Sequence, residues 1–210
     1  MNRLCGLLAL SAFACSLARA EVFGGGPGGS IPITVSNGHS TNWGQMHSTI
    51  VVNRPDVFIF QLNSVTLRGL NHRFLSAMEI YLSNAQYAMH LYYPGFESTA
   101  AVNGDITFRV GTQFPTLNER STQVNSLPTG TYNPSVVMSD ASIGRGNFDG
   151  FSQTSLTSGW TLSFYNYDRN SAGRLGSWSF DAAVGVVPEP ASLSALAIGA
   201  FVVARRRRAR

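Results

Sequence analysis

The chain predicts an all-β fold, a single β-sandwich, on three observations. Its central part is made of short runs in which apolar and polar residues alternate, the period of a strand with one face in a core. Gly, Asn, Pro and Ser separate these runs, and no long stretch carries a 3.6-residue period. The heaviest aromatics share parity with their apolar neighbours in two late runs, Trp160-Thr161-Leu162-Ser163-Phe164 and Trp178-Ser179-Phe180-Asp181-Ala182, which gives two sheets a core to close over.

The N-terminus reads as an export signal over residues 1–20. Arg3 supplies positive charge, Leu4 to Leu17 form an apolar stretch, and Ala18-Arg19-Ala20 is an Ala-x-Ala cleavage site for signal peptidase. The mature chain then begins near Glu21. Cys15, behind Ala12-Phe13-Ala14, offers a lipoprotein alternative that the bulky Phe13 disfavours. Residues 21–29, with Gly24-Gly25-Gly26-Pro27-Gly28-Gly29, are expected to form a flexible leader.

The sandwich is expected over residues 30–183. Phe58, Phe60 and Leu62 alternate onto one face, followed by Val65 and Leu67; Met78-Glu79-Ile80-Tyr81-Leu82 and Met89-His90-Leu91 alternate again; Ile106-Thr107-Phe108-Arg109-Val110 is the cleanest case. Trp160, Phe164, Trp178 and Phe180 are assigned to the core.

Residues 184–210 read as an address. Pro188 and Pro190 each lack an N–H and stop any strand arriving from upstream, while Glu189 keeps the break in water. Ala191–Ala204 is uncharged and suited to a membrane helix, and Arg205, Arg206, Arg207 and Arg208 resist entering hydrocarbon, so the tail stays cytoplasmic. This order closely resembles the PEP-CTERM sorting signal of Gram-negative bacteria. The resemblance implies a membrane-embedded exosortase that cleaves near the motif and delivers the protein, after a transient stay at the inner membrane, to the cell surface or extracellular matrix. An ordinary anchor facing the periplasm is the alternative. Against it, the 14 apolar residues cover as helix only about 21 Å of a roughly 30 Å hydrocarbon core.

Removing both addresses changes the charge. The chain has no lysine, and residues 21–187 keep eight arginines and ten carboxylates, a net charge of −2. Nucleic-acid binding, which needs clustered basic residues, is unsupported. Both cysteines, Cys5 and Cys15, leave with the signal peptide, and with them any disulfide, thiolate nucleophile or thiolate metal ligand.

A second resemblance spans nearly the whole mature domain. Ile31-Pro32, Leu70-Asn71-His72 leading into Met78–Ser83, Thr129-Gly130-Thr131-Tyr132-Asn133-Pro134, and the closing run from Ser158 to Phe180 fall in the order found in the P domain beside proprotein convertases. This resemblance implies a jelly-roll β-sandwich acting as an accessory module with no catalysis of its own. Ser76-Ala77 stands where that family commonly has Gly-Asp, so a cation or polar contact made there is not carried over.

No catalytic or metal motif is found, and the protein is expected not to be an enzyme. His39, His47, His72 and His90 lie on separate segments, with His72 expected to hydrogen-bond its own loop. A hydrolase alternative rests on Asp140, Asp149 and Asp168, which would have to meet in space; each sits in a Gly/Asn/Ser-rich loop where Asp commonly serves as a turn residue. Asn166, Asp168 and Asn170 could offer oxygens to Ca²⁺, a weak site with one carboxylate. Tyr165, Tyr167, Tyr92, Tyr93 and Trp43 have no core role to explain them. Rings beside amide side chains suit a polysaccharide, so Tyr165, Tyr167 and Asp168 are the candidate ligand-binding residues.

Overall fold

A computed structural model describes residues 19–36, 41–55, 57–94, 100–137, 143–157 and 159–186. The predicted signal peptide up to Ala18, the helix 191–204, Pro188, Glu189, Pro190, Arg205–Arg208, His39 and Asp140 lie outside them. Among the described residues no helix is long and apolar enough to cross a membrane.

The described chain is all-β apart from short turns of helix. In order it forms β1 (Arg19–Ile31), β2 (Val35–Ser36), β3 (Thr41–Asn42), β4 (Gly44–Ile50), β5 (Val57–His72), β6 (Met78–Ser83), β7 (Ala88–Tyr92) and β8 (Ala101–Phe108). After the one-turn helix α1 (Leu117–Ser121) come β9 (Ser126–Leu127), β10 (Gly130–Tyr132), β11 (Ser135–Val137), β12 (Ile143–Arg145), β13 (Trp160–Asn166) and β14 (Gly173–Val186). The helix exists because Thr116 and Glu119 form a capping box, each side chain accepting the other's backbone N–H.

β2-β3 and β11-β12 pair in two small sheets; of the two large ones, one has the order β1-β14-β5-β8-β10, with β9 also on β8, and the other has the order β4-β13-β6-β7. Their inner faces bury Val65, Leu67, Ile106, Phe108, Trp178 and Phe180 against Met46, Ile80, Leu82, Trp160, Leu162 and Phe164. Trp160 of one sheet stacks on Phe180 of the other, ring centroids 4.6 Å apart and planes 29° apart. Each fully buried Phe or Leu of this kind contributes roughly 1.5–3 kcal/mol, so the parity of the two late runs is what fixes the core.

Three expectations are corrected. Residues 21–29 are not a loose leader: they belong to β1, an edge strand paired with β14 from Arg19 opposite Val184 to Ile31 opposite Gly173. The glycines permit close approach. A Cβ on Gly26 would lie 2.1 Å from Trp178 Nε1, and one on Gly28 would lie 2.0 Å from the Gly176 carbonyl oxygen. The folded unit therefore extends beyond 30–183, to Arg19 and Val186.

Phe58 and Phe60 do not share a face with Leu62. Val57, Ile59 and Leu62 are buried and Phe60 is 39% exposed. The reason lies in the pairing with β14, which skips Asn63 between Ser64 and Leu62 and skips Phe60 between Gln61 and Ile59. Each bulge inverts the side-chain parity. Val110 is likewise exposed, since β8 ends at Phe108.

Candidate functional site

Alternation along the four-stranded sheet sends one set of side chains inward and leaves the other on an outer face. Across β4, β13 and β6 that face carries Gln45, Tyr165 and Glu79 in one row. The next row is His47, Ser163, Tyr81 and, on β7, His90. A third is Thr49, Thr161 and Ser83. Trp43 precedes β4 and Tyr167 follows β13, and because Gly44 lies opposite Asn166 the two rings flank the same end of the sheet.

The rings touch in a chain. Tyr81 sits 4.0 Å from His90 and 5.4 Å, edge-on, from Tyr165. Tyr165 meets His47 edge-on at 6.1 Å, His90 meets Tyr93 at 5.0 Å, and Trp43 meets Tyr167 at 5.0 Å. Edge-to-face contacts of this kind hold rings in fixed orientation. Polar groups lie between them: His47 Nδ1 is 2.8 Å from Ser163 Oγ, and Thr49 Oγ1 is 2.9 Å from Thr161 Oγ1.

Glu79 is the floor of this patch. Its side chain is on the outer face yet only 8% exposed, because the phenols cover it. Tyr81 donates its hydroxyl to Glu79 Oε2 at 2.9 Å. Burial first, and then the Glu79 carboxylate, push the Tyr81 and Tyr167 phenols above the ordinary tyrosine range. Burial pushes His90 down, against the opposing pull of Glu79, and its Nε2 is buried without a hydrogen-bond partner. Glu79 is the sole carboxylate among the residues of the four strands, which hold no arginine.

Tyr165 and Tyr167 thus stand on one surface with Trp43 and Tyr93, as their types suggested. Tyr92 does not: it is fully buried and donates its hydroxyl to the Leu75 carbonyl at 3.2 Å. Phase explains the difference, since the core side of β7 takes Met89 and then both Leu91 and Tyr92, with a bulge opposite Ile80 and Tyr81. The sequence reading missed Tyr81, Glu79 and His90. Each occupies the outward parity of an alternating strand, where a polar residue ordinarily signifies only a wet face.

Asp168 lies just past this surface in a loop that engages most of its oxygens, while the Asp168 Oδ2 is buried without a hydrogen-bond partner. Its Oδ1 accepts the Asn170 N–H at 2.8 Å and its carbonyl accepts the Thr34 N–H at 2.8 Å. Asn166 is fully buried and uses its amide on the Pro32 and Ser171 carbonyls at 2.9 and 2.8 Å, with its Oδ1 accepting the Asp168 N–H. These are turn bonds. Burial pushes the Asp168 carboxyl up, but the Asn170 and Ser171 hydrogen bonds and the charge of His72 outweigh it and hold the carboxyl below its usual range. Among the described residues no three His, Cys, Asp or Glu side chains gather as a metal site. His72 accepts the Phe74 N–H within its own loop, as expected. Asp149 opens a helical turn whose Phe151 packs on Trp160, at the start of β13, while Asp168 follows its other end.

No curated protein matches the chain. Among solved structures, a serine protease of Aeromonas sobria bound to its chaperone is similar at 16% identity, over 86% of this chain and 29% of that one, with a TM-score of 0.38. A second structure of a serine protease of Aeromonas sobria is similar at 16% identity, over 85% of this chain and 29% of that one, with a TM-score of 0.36. The chain therefore spans under a third of that protease's length, and a likeness this distant carries no activity across. Residues 186–208 match the PEP-CTERM protein-sorting motif, which implies an exported protein processed by an exosortase and destined for the cell surface.

Proposed function

We propose that this is a surface or matrix protein whose β-sandwich is a non-catalytic module, of jelly-roll type and akin to the P domain, that binds polysaccharide through the outer face of its four-stranded sheet. The observation that carries the reading is the chain of touching rings from His47 through Tyr165, Tyr81 and His90 to Tyr93. Sugar rings stack on such faces while Gln45, Ser163, Thr161 and Thr49 offer hydrogen bonds to hydroxyls. A helix over 191–204 serves as the transient membrane hold, and the exosortase cuts near Pro188.

Two measurements test the reading. Intact mass of the protein from surface and medium fractions of its host is expected to give a species beginning near Glu21 and ending near Pro188; a full-length tail confined to the inner membrane would make the segment a permanent anchor. Affinity electrophoresis through polysaccharide-containing gels is expected to retard the wild type and not Tyr165→Ala. Equal mobility of both in every gel would remove the binding role.

A further inference from the structure

The sugar class follows from charge. We infer, resting on the binding reading above, that the outer face of the four-stranded sheet selects a cationic polysaccharide of hexosamine units with free amines.

The four strands hold no arginine, and the chain holds no lysine, so the bases on this face are the imidazoles of His47 and His90 and no permanent positive charge neutralises an acidic sugar. Their single carboxylate, Glu79, is placed under the rings that would stack on the ligand. Buried beneath Tyr81, it is shielded from water, so its negative charge reaches the surface less screened than an exposed carboxylate would. An ammonium group lying over the Tyr81, Tyr165 or Tyr167 ring meets both the negative face of the ring and this charge. His90 does not oppose it, because burial favours its neutral form. The rows from β4 to β7 span about 14 Å at the usual strand spacing, which accommodates several linked sugars side by side rather than one.

Hydroxyl and amide groups complete the fit. Thr49 and Thr161 pair with each other, and Ser163 with His47, so each keeps a lone pair or proton for a sugar hydroxyl. Gln45 stands fully outward beside Tyr165. The face thus offers stacking, hydrogen bonds and one negative charge, the complement of a polyhydroxylated chain carrying amines.

The test compares a hexamer of glucosamine with the hexamer of N-acetylglucosamine by calorimetry, using the protein purified from its host, at about pH 6 and low salt. Acetylation removes the charge and leaves the ring. The free-amine hexamer is expected to bind about tenfold more tightly, the scale of one cation–π contact backed by a carboxylate. Glu79→Gln is expected to abolish that preference while both hexamers still bind, and raising salt in the wild type is expected to shrink it, which decides the matter if the Gln variant fails to fold. Equal affinity for the two hexamers, or a preference that Glu79→Gln and salt leave untouched, would overturn the amine selection while sparing polysaccharide binding. Failure of both hexamers and of every polysaccharide gel would overturn both readings together.

Discussion

Trp178 donates its indole N–H to Ser48 Oγ at 2.7 Å, a bond between the two sheets at the bottom of the core. Ser48 in turn donates to the Pro27 carbonyl at 2.5 Å, so β14, β4 and β1 are tied through a single buried hydroxyl. Ser48→Ala would leave two groups unsatisfied at once. Each such group costs about 1–3 kcal/mol, so denaturant unfolding of Ser48→Ala is expected to show a lowered midpoint with an unchanged slope. In a double-mutant cycle, Trp178→Phe should cost less in the Ser48→Ala background than in the wild type. Additive costs would show that the bond carries no coupling.

The Gly-rich strand makes a second prediction. Phe23 stacks on Phe180 with centroids 4.9 Å apart, and β1 covers the whole edge of β14. A chain beginning at Ser30 is expected to unfold at lower denaturant than one beginning at Glu21 and to expose β14 as an unpaired edge, which favours association. Gly28→Ala is expected to act in the same direction, because its Cβ would enter backbone atoms that cannot swing aside. If residues 21–29 were a leader, neither change would alter the melt.

What was legible follows from which physics is local. Trp160, Leu162 and Phe164 could be assigned to the core because parity within one strand is written in one strand. The bulges at Phe60 and Asn63 could not, since they are properties of the pairing with β14. Gly24 to Gly29 misled for a similar reason: glycine means freedom when nothing approaches and necessity when Trp178 and Gly176 do. Tyr165 and Tyr167 could be read as lying outside the core because they break its parity, whereas Glu79 beside Tyr81 gave no sign that phenols from other strands cover it.

Acid should weaken the fold in two separate windows. Burial lowers His72 and His90 from the ordinary value of 6.5, only partly offset for His72 by its hydrogen bonds with Phe74 and Asn166 and the Asp168 charge, and for His90 by Glu79. The unfolded chain takes up protons there first, so this stability is full above about pH 6.5 and is lost as pH falls toward the folded values. Asp168 is held below 3.8, and its contribution, present above that value, disappears only at lower pH. Thermal melts against pH are expected to decline from pH 7 toward pH 5, with His90→Gln flattening part of that slope. A flat profile through that range would mean that both rings titrate as freely as in the unfolded chain.

Alkali acts on phenols raised by burial, two of them also by Glu79. Tyr81 and Tyr167 are pushed above the ordinary value of 10.0 by burial and then by the Glu79 carboxylate, whereas Tyr92 is pushed up by burial alone. A phenol raised in the folded state contributes stability that is present below about pH 10 and lost as pH rises past it, since the unfolded chain releases its proton first. Of the seven tyrosines, Tyr81, Tyr92, Tyr132 and Tyr167 are raised and expected to develop phenolate absorbance late, together with the unfolding transition. Glu79→Gln removes the charge while keeping an acceptor for the Tyr81 hydroxyl, so Tyr81 and Tyr167 should then titrate earlier and Tyr92 should not move. Phenolate spectra of the two proteins across the alkaline range make the comparison. Identical curves would mean that the carboxylate is not under the rings, and the charge on which recognition of amines depends would be gone with it.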